Sequence, residues 1–132
     1  MRRIFVDDIL VDTKHKVIMQ TEKGCNLVTY KGDMVDMVFP EGVTSITDEA
    51  FKGCSSIMSI RFPSTLKQIG DCAFAECTNL KTVVLPDNLE EIGYCAFSGC
   101  PSLEEVVFPD KGILIKTYAF AKCPKFRQDV KK

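Results

Sequence analysis

Residues 69–100 read IGDCAFAECTNLKTVVLPDNLEEIGYCAFSGC, and the pattern Ile-x-x-x-Ala-Phe-x-x-Cys at 69–77 returns at 92–100. Followed outward, the Ala-Phe pair falls at Ala50-Phe51, Ala73-Phe74, Ala96-Phe97 and Ala119-Phe120, a step of 23 residues each time. Three residues after each Phe stands Cys54, Cys77, Cys100 or Cys123, and four before each Ala stands Ile46, Ile69, Ile92 or Ile115. A proline column, Pro40, Pro63, Pro86 and Pro109, shares the register, each preceded by Phe39, Phe62, Leu85 or Phe108. Apolar columns at Met34, Ile57, Leu80, Leu103 and Phe126, and at Met37, Ile60, Val83 and Val106, complete the unit. Self-similarity at a fixed period of this size is the mark of stacked repeats.

The consensus L-x-x-I-x-(F/L)-P-x-x-L-x-x-I-x-x-x-A-F-x-x-C-x-x resembles the leucine-rich repeat family. Its Ala-Phe-x-x-Cys and Phe-Pro columns are similar to the bacterial BspA-like subtype, over about residues 27–126. The resemblance implies an α/β solenoid with one parallel β-sheet face. It also implies a non-enzymatic binding module, of a kind linked with adhesion at bacterial surfaces.

The residues explain the columns. In Ile57-x-x-Ile60-x-Phe62 the final alternation is that of a strand, with Ile60 and Phe62 inward and Ser59 and Arg61 outward. Pro63 ends the ladder because it has no N–H to donate. The Ala-Phe-x-x-Cys segment is too short for a long helix, so the return side is expected to be a turn of helix or 3₁₀, capped by Asp48 and Asp71. Phe51, Phe74, Phe97 and Phe120, with Cys54, Cys77, Cys100 and Cys123, are the expected structural core. Gly112 breaks the column of Val43, Leu66 and Leu89, which predicts local irregularity where Ile113-Leu114 slips to fill the gap.

At 132 residues the chain reads as a single domain. Residues 1–33 are expected to form a β-hairpin cap, since residues 10–19 resemble 27–37 and both set apolar pairs around a polar turn. About four repeats follow over 34–126, and 127–132 is a polar tail that caps the end thinly.

A net charge of −1 offers no basic field for nucleic acid, and no run approaches eighteen apolar residues, so membrane insertion is not expected. Acids at Asp7-Asp8 interrupt the N-terminus before a signal-peptide core forms. The expected location is cytoplasmic for a complete chain and the cell surface for a fragment.

Seven cysteines, an odd number, favour a reduced compartment and unbridged thiols. The 23-residue column gives Cys54, Cys77, Cys100 and Cys123 a packing role, so no metal or other cofactor is expected. Cys72 and Cys95 fall in a variable column with Glu49 and Tyr118 and leave a thiol redox or metal-binding reading open. A nucleophilic Cys needs a base, and His15, the only His, lies in the cap, so no catalytic residue is assigned. The outward strand positions Val38, Ser59, Arg61, Thr82, Val84, Glu105 and Val107 form the candidate partner-binding face, with a protein partner or self-association as its use. The other reading is a fragment of a longer surface protein.

Overall fold

The computed structural model describes residues 2–5, 35–39, 41 and 43–126. Nine strands follow one another: β1 (Arg2–Phe5), β2 (Val35–Val38), β3 (Ser45–Ile46), β4 (Ile57–Arg61), β5 (Gln68–Ile69), β6 (Thr82–Val84), β7 (Glu91–Ile92), β8 (Glu105–Val107) and β9 (Leu114–Ile115). They form two parallel sheets, in the orders β1-β2-β4-β6-β8 and β3-β5-β7-β9. Each turn of the solenoid supplies one strand to each sheet.

Register follows the period. Ile60 pairs with Val83 and Val83 with Val106, while Ile46, Ile69, Ile92 and Ile115 align in the second sheet. Equivalent residues therefore sit on top of one another, and the core is a set of columns. Phe51, Phe74, Phe97 and Phe120 stack with ring centroids 5.4 Å apart and planes within 10°. Phe39 and Phe62 make a second stack, also at 5.4 Å, and meet the first edge-on, as aromatic quadrupoles prefer. All four Phe of the Ala-Phe column and all four Cys of the core column are buried.

The return side differs from the helical expectation. Among the described residues there is no helix; the chain comes back through successive β-turns. Ala50, Ala73, Ala96 and Ala119 each donate to the carbonyl three residues earlier, and the third residue of each turn has positive φ: Glu49 59°, Cys72 57°, Cys95 57°, Tyr118 62°. That is the requirement of a type II turn. The column four residues on is left-handed as well, with Gly53 at 75°, Glu76 at 59°, Gly99 at 73° and Lys122 at 58°. A left-handed residue in every turn stops a helix from propagating. The N–H groups thus freed reach the next turn instead, Phe51 to Ala73 O, Phe74 to Ala96 O and Phe97 to Ala119 O, at 2.7–2.8 Å.

Asp48 and Asp71 do not cap a helix. Asp48 Oδ1 accepts the Asp71 N–H at 2.8 Å, and Asp71 Oδ1 accepts the Tyr94 N–H at 2.9 Å, so each carboxylate bonds to the following turn. The close approach needs glycine beside it. A Cβ on Gly70 would lie 2.7 Å from Asp48 N and 2.8 Å from Ile46 O, and Gly93 is similarly crowded by Asp71 and Gly70.

At the N-terminus β1 pairs parallel with β2, Arg2 against Val35 through Phe5 against Val38. It is a further parallel strand of the sheet. The expected hairpins at 10–19 and 27–37 fall outside the described residues, except for Val35–Met37 in β2, as does the tail at 127–132. Around Gly112 the expected slip is confined to Ile113, which packs partly against the core, while Leu114 is exposed.

Two glycine substitutions separate crowding from backbone strain. Gly53 has open space around its Cβ position, so Gly53→Ala is expected to cost about 1 kcal/mol for the left-handed φ alone. Gly70→Ala must push backbone apart and is expected to cost about 2–3 kcal/mol. Urea denaturation of the two variants checks the order.

Candidate functional site

The outer surface of the five-stranded sheet consists of two rows. Register places Asp36, Ser59, Thr82 and Glu105 in one row and Val38, Arg61, Val84 and Val107 in the other. All seven candidate residues lie on these rows. Ser59 donates to Asp36 Oδ1 at 2.6 Å, tying β4 to β2 at the surface. Arg61 is exposed between Val38 and Val84, and a depression of about 220 Å³ opens over β2, β4 and β6 around it.

The apolar content of this face is smaller than the run of valines suggests. Val38 and Val84 are half-buried, and only Val107 is strongly exposed, at 43 %. A neighbouring strand on each side shields a β-branched side chain, and among the described residues Val107 on β8 has a strand on one side only.

The second sheet carries a polar surface. Asp48, Asp71, Gln68, Glu91 and Lys116 border a wider groove of about 470 Å³. Lys116 is held by Glu91 at 3.1 Å and lies 5.1 Å from the centre of the Tyr94 ring. The hydrogen bond and the charge of Glu91 keep its ammonium above the ordinary lysine value.

The core cysteines are hydrogen-bond donors as well as small apolar groups. Cys77 Sγ donates to Phe51 O at 3.3 Å, Cys100 Sγ to Phe74 O at 3.4 Å and Cys123 Sγ to Phe97 O at 3.1 Å. Each thiol thereby ties its corner to the Phe of the preceding turn. Burial pushes the Cys77 thiol up to about 12, and a hydrogen bond with Cys123 together with burial raises Cys100. Cys77 and Cys100 stay protonated at neutral pH, and a protonated thiol is neither a nucleophile nor a metal ligand, whereas the hydrogen bond with Cys100 lowers Cys123 to about 7.

Cys54 departs from the expectation of unbridged thiols. It is disulfide-bonded, whereas Cys72, Cys77, Cys95, Cys100 and Cys123 are free. Cys72 and Cys95 are half-buried neighbours in adjacent turns, and burial, followed by the charge of Cys95, raises the Cys72 thiol. Among the described residues no group of three or more His, Cys, Asp or Glu is placed to hold a metal ion. His15 lies outside them.

Sequence reasoning missed the second sheet, the left-handed columns and the carboxylate ladder. The second sheet has strands of two residues, too short to show a period of two. One left-handed column did carry a signal, because Gly53 and Gly99 alternate in it with Glu76 and Lys122.

With columns, corners and face in place, the sequence can be set against known proteins. The profile described as BspA type leucine rich repeat region matches residues 25–128 in six copies. The chain belongs to the BspA-type leucine-rich repeat family. Among solved structures it is similar to a leucine rich cell surface protein from Faecalibacterium prausnitzii, with 32 % identity and a TM-score of 0.64 over 76 % of this chain and 27 % of that one. It is also similar to a leucine-rich repeat protein from Bacteroides ovatus, with 35 % identity and a TM-score of 0.59 over 84 % of this chain and 29 % of that one. The BspA-type chain thus spans less than a third of either protein. No curated protein matches it.

Because Cys77 holds its proton far more tightly when folded than at the ordinary value of 9.0, stability is full below about pH 9 and falls as pH rises from there toward 12. The expected slope is about 1.4 kcal/mol per pH unit for this thiol alone. Urea midpoints measured with reductant on both sides of pH 9 test this, and Cys77→Ala is expected to flatten the decline while costing about 1–2 kcal/mol at neutral pH.

Proposed function

We propose that this BspA-type chain is a non-enzymatic protein-binding module that uses the outer face of its five-stranded parallel sheet. The observation that carries this reading is the placement of Arg61. It projects from the central strand, flanked in register by Val38 and Val84, with Ser59, Asp36 and Thr82 supplying polar groups one row away. An arginine framed by apolar and hydrogen-bonding side chains on a rigid sheet is the composition of an interface hot spot. Each of these side chains stands on an ordered strand, so little conformational freedom is lost when a partner binds.

Protein partners fit this surface better than small molecules do. The depression is shallow and open along the strands, whereas small-molecule sites enclose their ligand. Among the described residues no helix is long and apolar enough to cross a membrane. The similarity to a leucine rich cell surface protein from Faecalibacterium prausnitzii, together with the disulfide at Cys54, supports a location outside the cytoplasm.

Face-specific variants test the reading. Immobilised wild-type chain and a variant carrying Arg61→Glu and Val84→Glu are to be compared for retention of extracellular proteins, with Glu76→Ala on the return side as control. A protein held by wild type and control is expected to bind the double variant at least about tenfold more weakly. Equal retention by all three would remove the sheet face from the function.

A further inference from the structure

Two cysteines stand where packing does not ask for them. Cys72 and Cys95 occupy the third position of their turns, at a φ of 57° that is unfavourable for any residue with a Cβ. The same position holds Glu49 in one turn and Tyr118 in another, so the fold makes no demand on the side chain there. Cys77, Cys100 and Cys123 are buried, whereas Cys72 and Cys95 are half-buried and open to reagents in solvent. A strained backbone that presents two accessible thiols side by side points to a use for the thiols.

The ladder between the turns fixes their separation. Cys72 N–H donates to Tyr94 O at 2.9 Å and Phe74 N–H to Ala96 O at 2.8 Å, which brackets Cys95 from both sides. Chains bonded in this way lie about 4.8 Å apart, inside the range of about 4.4–6.8 Å found between the Cα atoms of a disulfide. With the same φ, the two side chains leave the backbone in parallel and not apart, and the thiols lie within hydrogen-bonding reach of one another. Two thiols are too few for tetrahedral zinc, and among the described residues no group of three or more His, Cys, Asp or Glu is placed to hold a metal ion. Oxidation is the chemistry that needs only two.

We propose that Cys72 and Cys95 are an oxidisable pair, which a low-molecular-weight disulfide, RSSR, converts into a bond between adjacent turns. Cys95 reacts first, because burial and the neighbouring Cys95 make Cys72 hold its proton more tightly, while the charges of Lys52 and Glu49 act on Cys72 in opposite directions. Cys95 gives its proton to solvent and its thiolate attacks one sulfur of RSSR; a Cys95–SR bond forms and RS⁻ leaves, to be protonated by solvent. Cys72 then gives up its proton and attacks Cys95 Sγ, forming the Cys72–Cys95 bond and expelling the second RS⁻, which is protonated in turn. Two thiols lose two electrons and two protons, and RSSR becomes two RSH. The second thiol is already in place, so the closing step is intramolecular and the mixed disulfide does not accumulate. The pair lies on the return side, away from the rows around Arg61, and the proposal is independent of the sheet-face reading.

Oxidised glutathione is the probe. The native chain, without reductant so that the Cys54 disulfide stays in place, is incubated with it near the ordinary thiol value of 9.0, quenched in acid, unfolded, treated with N-ethylmaleimide and mapped by peptide fragmentation. Cys72 and Cys95 are expected to be joined to each other with the loss of two hydrogens, while Cys77, Cys100 and Cys123 carry the maleimide. Cys72→Ser, at a position that accepts Glu and Tyr in other turns, is expected to stop at one glutathione on Cys95. A wild type that keeps glutathione on either cysteine, leaves both to the maleimide, or pairs either with a different cysteine would overturn the proposal. So would a Cys72→Ser chain whose Cys95 takes up no glutathione.

Discussion

Backbone hydrogen bonding between turns, at the strand spacing of about 4.8 Å, is the constraint on which the other features depend. Once Ile60 pairs with Val83 and Ile69 with Ile92, every side chain must share its space with the residues 23 before and after it. Like must then stack on like. A Phe column is stable because rings stack on rings, and the Cys column because the thiols of Cys77, Cys100 and Cys123 each reach the equivalent carbonyl one turn back. A Gly column exists at Gly70 and Gly93 because a carboxylate and the backbone fill the place of a Cβ.

The same constraint sorts stabilising contacts by strength. Buried columns and ladder bonds hold the turns together, while cross-turn ion pairs such as Lys67–Glu90 at 3.6 Å are half open to solvent and contribute little. Stability is carried by interfaces between neighbouring turns, as in other solenoids. A turn at the end of the stack has only one such interface. Among the described residues no turn follows Ile115, which stands at 37 %, while Ile46, Ile69 and Ile92, each followed by another turn, are buried.

The surfaces divide by what each sheet offers. The five-stranded sheet presents rows of mixed apolar and polar residues around Arg61, and the four-stranded sheet presents carboxylates, of which Asp48 and Asp71 are already committed to backbone N–H groups. A protein-binding role draws on the first. Cys77 and Cys100, held protonated and hydrogen-bonded, serve the architecture.

The repeat, its register, the family and the inward set were legible in the sequence, because a side chain that must match its neighbour 23 residues away leaves a column that can be counted. The rows of the sheet face followed from the same count, since alternation on a strand assigns faces. Tertiary structure alone decided how the return side closes. Glu49, Cys72, Cys95 and Tyr118 share no chemistry, and their common left-handed φ belongs to the backbone of the turn and not to the side chains. It also decided how much of each valine is exposed, because exposure depends on the neighbouring turns, which no residue encodes by itself.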